Sequence, residues 1–204
     1  MTILTIFLAI MLNSAFAQEE VSIARSGKEI YQSSCADCHG DVASKAPLIF
    51  GQEPKYILRA LSEFKSNTRP DVTAGVMNAV ANTLSLDEMK NVASYLAGQD
   101  PCDVKVTIDT NRPDWRAEFF AGKAMAKEKN CMHCHGSFHH GAPRLFGQKK
   151  GFVKNALSAF KDGRRPSKLM NRIAGKLTEE EINKISVYMS SMILMRECGK
   201  HDEH

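Results

Sequence analysis

The hydrophobic pattern of the chain falls into one uncharged apolar run at its start and, after it, segments of helical length bounded by helix signals. No alternating strand pattern of any length is present. A first helix is expected from about Ile23 to the cysteine pair that begins at Cys35. A second starts near Pro54, a residue suited to the first helical turn, and runs to about Lys65. A third begins at Ser85, where Ser85-x-x-Glu88 reads as a capping box, and stops at Gly98. The plan then repeats. Pro113-Asp114 opens a helix toward Cys131, and Thr178, followed by three glutamates, caps one that reaches about Met195. Residues from about Asp100 to Pro113 read as a connector, in which Val104-x-Val106-x-Ile108 fits a short extended segment. The expected fold class is all-α.

The repetition extends to individual residues. A shift of 96 places Cys35-x-x-Cys38-His39-Gly40 on Cys131-x-x-Cys134-His135-Gly136. It also places Ala46-Pro47 and Phe50-Gly51-Gln52 on Ala142-Pro143 and Phe146-Gly147-Gln148, and Arg69-Pro70 on Arg165-Pro166. Beyond that point the shift becomes 93, matching Met77 to Met170, Leu84-Ser85 to Leu177-Thr178 and Tyr95 to Tyr188. An internal repeat of this length predicts two domains, residues 18–100 and 114–204, joined by a linker at 101–113. Units of about 90 residues are small for a self-sufficient apolar core, so each needs another source of buried surface.

The repeated C-x-x-C-H supplies that source. Two thiols separated by two residues, with a histidine directly after, form the attachment signal of c-type haem. Each cysteine adds to one haem vinyl group, and the histidine is then held under the ring within reach of the iron. A pair of zinc knuckles is the alternative, but no second C-x-x-C or H-x-x-x-H pair remains to close each tetrahedron. Two covalently bound haem c groups are therefore expected, on Cys35 and Cys38 and on Cys131 and Cys134, with His39 and His135 on the iron. The sixth iron position decides the chemistry, and methionine there favours the ferrous state and raises the potential. Met77 and Met170 are the methionines that coincide across the repeat, 38 and 35 residues after their histidines. Met89, Met125, Met189, Met192 and Met195 read as packing residues. Met132, between two cysteines, cannot reach across the ring. A ligating imidazole donates its other N–H to a second partner, and the carbonyls of Pro47 and Pro143, eight residues after each histidine, are the expected acceptors.

Two fused copies of C-x-x-C-H, each followed by P-x-x-x-G-Q, a methionine, Leu-Ser or Leu-Thr and a helix ending in tyrosine, resemble the di-haem cytochrome c4 family. The resemblance runs from about Ser22 to Met195. It implies two tandem class I cytochrome c domains, each wrapped around its haem, related by a pseudo-two-fold axis with the haem edges near each other. By position it implies His39 with Met77 and His135 with Met170 as axial pairs. The cytochrome subunit of flavocytochrome c sulfide dehydrogenase resembles the same pattern, so the motifs specify the fold more sharply than the partner.

Residues 1–17 carry no charge, and an apolar run from Ile3 to Leu12 leads to Ala15-x-Ala17, a small-residue cleavage pattern. They read as a secretory signal peptide, although no Lys or Arg precedes the run; an uncleaved membrane anchor is the alternative, for which the run is short. The expected location is the bacterial periplasm. Two cysteines remain, Cys102 and Cys198, and in an oxidising compartment spare thiols tend to pair. A Cys102–Cys198 disulfide is expected, with free thiols or a bridge between chains as the alternatives. His139, His140, His201 and His204 read as solvated loop and tail residues. Residues 18–110 carry a net charge of −4 and residues 111–204 a net of +8. Such a dipole can orient the molecule on a charged partner. No nucleic-acid motif accompanies the basic half.

Two saturated, covalently fixed haems suit an electron carrier rather than an enzyme. The expected partners are redox proteins: a quinol-oxidising complex or dehydrogenase as donor and a terminal oxidase or reductase as acceptor, with transient docking on membrane complexes. Two other readings remain. One is a subunit of a periplasmic dehydrogenase. The other is an enzyme with one open haem, such as a di-haem peroxidase or a thiosulfate-oxidising cytochrome, which the paired methionines and the short length oppose.

Overall fold

A computed structural model describes residues 24–41, 43–69, 75–101, 114–136 and 141–191. The leader, the extended segment of the linker, Cys102, Cys198, Met192, Met195 and the four histidines of loop and tail lie outside the described residues. Among the described residues every regular element is a helix, and none is long and apolar enough to cross a membrane.

The first half holds α1 (Gly27–Ser34), α2 (Ala36–His39), α3 (Pro54–Lys65), α4 (Val76–Asn82) and α5 (Leu86–Ala97). The second holds α6 (Trp115–Glu128), α7 (Cys131–His135), α8 (Lys150–Lys161), α9 (Lys168–Ala174) and α10 (Glu179–Ser191). Helix α3 matches its expected span, with Pro54 in its first turn and the Glu53 carboxylate capping the Tyr56 N–H. Helix α5 starts at the expected box, in which Ser85 and Glu88 each accept from the other's backbone N–H. Helix α1 begins at Gly27 rather than Ile23, because Ser26 and Glu29 form a second such box. Helix α6 begins at Trp115 rather than at Pro113. Helices α4 and α9, which carry Met77 and Met170, were not anticipated. Each has only seven residues, too few to show helical periodicity clearly.

Each half has its own core. Ile30, Leu61, Phe64, Leu84, Met89 and Leu96 form one; Phe119, Leu157, Phe160, Leu177, Ile182 and Met189 form the other. Fully buried side chains such as Ile30 and Ile182 contribute roughly 1.5–3 kcal/mol each. Met89 and Met189 are buried packing residues, as expected. In each half the first helix crosses the last at a glycine. A Cβ on Gly27 would lie 2.2 Å from the Asn91 carbonyl oxygen, and one on Gly122 would lie 2.2 Å from that of Lys184. The two backbones touch there, and only glycine allows it. Tyr95 and Tyr188, the paired tyrosines of the repeat, flank these crossings. Their rings pack on Tyr31 and Phe119 at 5.8 and 5.3 Å.

Candidate haem centres

The C-x-x-C-H motifs fold as short helical turns, α2 and α7, set against the cores. Cys35 and Cys131 pack on the apolar clusters of their own halves, and so do Met77 and Met170. Cys38 is exposed and Cys134 half-buried. Burial pushes the Cys35 thiol up to about 11, and that of Cys131 upward too, so neither is a ready thiolate. Among the described residues, no three His, Cys, Asp or Glu side chains gather as a metal cage.

The two histidines are buried at 9% exposure each. The Nδ1 of His39 lies 2.7 Å from the Pro47 carbonyl oxygen, and that of His135 lies 2.8 Å from the Pro143 oxygen. These are the acceptors expected from the repeat. A carbonyl only accepts, so the proton sits on Nδ1 and the lone pair on Nε2. Burial lowers both imidazole pKa values against the opposing pull of the carbonyls, which keeps the rings neutral. A buried, neutral, oriented imidazole with a free Nε2 is the donor an iron requires. The donor set therefore fits haem: two flanking thiols per motif, one such imidazole, and a thioether on the same core.

The rest of the repeated phrase builds the junction between the halves. Gln148 reaches across, accepting from the Leu48 N–H at 2.8 Å and donating to the Leu48 carbonyl at 2.9 Å. Gln52 does the same to Arg144, the counterpart of Leu48, at 2.5 and 3.2 Å. Gly51 and Gly147 turn the chain before each glutamine with positive φ, 60° and 68°. Their N–H groups are anchored to the Leu96 and Met189 carbonyls in the last helix of each half. The two halves thus meet in a reciprocal, pseudo-symmetric clamp. Lys149 adds bonds to the Asp41 and Ser44 carbonyls, and Arg59 one to that of Gly141. Sequence reasoning matched Gln52 with Gln148 and Arg69 with Arg165 but gave none of them a role.

One junction feature breaks the symmetry. The Tyr56 hydroxyl accepts from Arg165 at 3.1 Å and lies in the field of the buried Arg69. The two arginines are repeat partners and sit alike, each 4.4 Å over a phenylalanine ring of its own core. The position equivalent to Tyr56 holds Phe152.

The comparisons accord with this geometry. The family model described as cytochrome C oxidase, cbb3-type, subunit III matches residues 22–96 and again 118–189. Cytochrome c-552 of Acidithiobacillus ferridurans is 31% identical over 78% of this chain and 74% of its own length. The Acidithiobacillus ferrooxidans cytochrome c4 structure superimposes with a TM-score of 0.63 at 29% identity, covering 78% of this chain and 99% of that one. The chain belongs to the di-haem cytochrome c4 family, built from two domains of the matched kind. As a member it is an all-α, di-haem c-type electron-transfer protein with covalently bound haem. A third relative, named thiosulfate dehydrogenase electron acceptor, from Stutzerimonas stutzeri, is 27% identical over 83% of this chain and 87% of its own length.

Proposed function

We propose that this cytochrome is a periplasmic electron shuttle, not itself an enzyme, that carries electrons between respiratory complexes toward a terminal oxidase. The domains are residues 18–100 and 114–204, joined by the linker at 101–113 after a leader at 1–17. Cys35 and Cys38 hold one haem and Cys131 and Cys134 the other. His39 with Met77, and His135 with Met170, are the axial pairs. The haem would supply a one-electron couple; His39 with Met77 and His135 with Met170 would each give the iron two protein donors, so that its coordination would change little on electron transfer.

The observation that carries this reading is the pair of buried histidines, each with Nδ1 engaged by a prolyl carbonyl in the same repeat register that aligns Met77 with Met170. Replacing Met77 or Met170 by alanine is expected to open one haem each. The thioether-to-ferric absorption of that haem would be lost and its potential would fall. Retention of both thioether signatures in Met77→Ala would contradict the assignment.

The relative named as a thiosulfate dehydrogenase electron acceptor favours a second reading, a dedicated electron-accepting partner of a periplasmic dehydrogenase. A native periplasmic extract run on a sizing column, with haem absorbance recorded, separates the two. A haem peak at the size of the lone chain is expected for the shuttle. A larger peak that carries a second enzyme or cofactor would replace it with the dehydrogenase subunit.

A further inference from the structure

One peptide group joins the proximal histidine of each half to a side chain of the other. The Pro47 carbonyl oxygen accepts a hydrogen bond from His39 Nδ1 at 2.7 Å. The N–H of that same peptide unit, carried by Leu48, donates to the Gln148 side-chain oxygen at 2.8 Å. The second half repeats the relay with the roles exchanged. His135 Nδ1 meets the Pro143 carbonyl at 2.8 Å, and the Arg144 N–H on the same peptide meets the Gln52 oxygen at 2.5 Å. We propose that Gln148 and Gln52 are crossed positioning residues: each, through one peptide group, tunes the proximal histidine of the opposite domain and so sets that domain's haem potential. The inference rests on His39 and His135 being iron ligands.

The physics is that of a polarised amide. Resonance ties the nitrogen and oxygen of a peptide group together. A peptide that donates at nitrogen becomes a stronger acceptor at oxygen, and chains of hydrogen bonds reinforce one another in a low dielectric. A stronger Pro47 acceptor draws the His39 Nδ1 proton, enriches Nε2, and favours ferric iron. Gln148 therefore lowers the potential of the haem held by His39. Water does not substitute for it, because Gln148 and Leu48 are only 4% and 8% exposed. The amide is also oriented, since Gln148 Nε2 holds the Leu48 carbonyl while Oε1 holds the N–H. Gln52 is as closely buried, at 5%, and its Nε2 donates to the Arg144 carbonyl.

The test uses the full haem-loaded chain. Gln148→Met and Gln52→Met keep the side-chain length and remove both polar contacts. The potential of each haem is followed separately by NMR during a redox titration. In Gln148→Met the haem on His39 is expected to shift upward while the haem on His135 stays in place. In Gln52→Met the pattern is expected to reverse. A glutamine that merely holds the domains together would move both haems alike. Equal shifts, a shift confined to the mutated residue's own domain, or no shift would each overturn the proposal. Should the variants not fold, the wild-type protein carries its own test. A scalar coupling across the hydrogen bond is expected between the Leu48 nitrogen and the Gln148 side-chain carbonyl carbon, and its absence would overturn the relay. The ligand reading fails separately: if His39→Ala keeps the low-spin spectra of both haems, the assignment is wrong and the inference falls with it.

Discussion

At Tyr56 a single phenol oxygen links the two halves, accepting from Arg165 of the second while the charge of Arg69 in the first acts on it. Burial pushes this phenol up, but the positive charges of Arg165 and Arg69 outweigh it and hold its pKa below the ordinary value. Tyr56→Phe removes the acceptor of Arg165 and an electrostatic partner of the buried Arg69. A loss of about 1–3 kcal/mol of stability is expected in denaturant unfolding, the range for stranding a buried donor. No loss would mean that solvent or a haem carboxylate already satisfies both arginines. The residue scale also shows what the sequence could and could not disclose. The Pro47 and Pro143 acceptors were legible, because the need of a ligating imidazole for a second partner applies at a fixed short spacing. The glutamines and Tyr56 were not. Their partners lie 92 to 109 residues away, and no local rule states which surfaces two repeats will press together.

Among the elements, the tightest constraint is the glycine crossing of α1 on α5 and of α6 on α10. Gly27→Ala and Gly122→Ala each drive a methyl group into a backbone carbonyl 2.2 Å away. Overpacking of this kind costs roughly 1–3 kcal/mol or more. The loss is expected in the domain that carries the change, read as an earlier thermal transition for that domain's haem signal. A loss shared equally by both domains would contradict independent cores. The cap of α5 adds a pH dependence. The Arg25 guanidinium, bonded to Glu88 at 2.6 Å, together with the Ser85 N–H, lowers the Glu88 carboxyl to about 2 from an ordinary 4.5. A carboxyl lowered on folding stabilises the fold above its unfolded pKa and loses that contribution as pH falls through the folded one. Glu88→Gln is therefore expected to be less stable at neutral pH and to lose less between about pH 4.5 and 2. An unchanged slope in acid titrations would place the acid sensitivity elsewhere. The boxes at Ser85 and Thr178 and the proline at Pro54 made α5, α10 and α3 legible in the chain. Helix α1 was misplaced by the neglect of its own box at Ser26 and Glu29, and α4 and α9 are too short to declare themselves.

Over the whole molecule the charge is divided, with −4 on residues 18–110 and +8 on residues 111–204. On an electrode coated with an anionic monolayer, the second domain is expected to face the surface. Its haem would then exchange electrons first, with a rate that falls as salt rises from about 10 mM to 0.15 M. Exchange through the first domain, or a rate indifferent to salt, would show that net charge does not orient the protein. The two-domain plan itself was legible, since a repeat of residues at a constant shift survives where periodicity is weak.

The central claim is that both irons are saturated by protein ligands and serve electron transfer alone. The most direct measurement is to expose the fully reduced protein to carbon monoxide and record the haem spectrum. No change at either haem is the predicted result, because the proposed ligand pairs, His39 with Met77 and His135 with Met170, would leave no position free. Ready binding at one haem would contradict the account and point instead to a site built for catalysis.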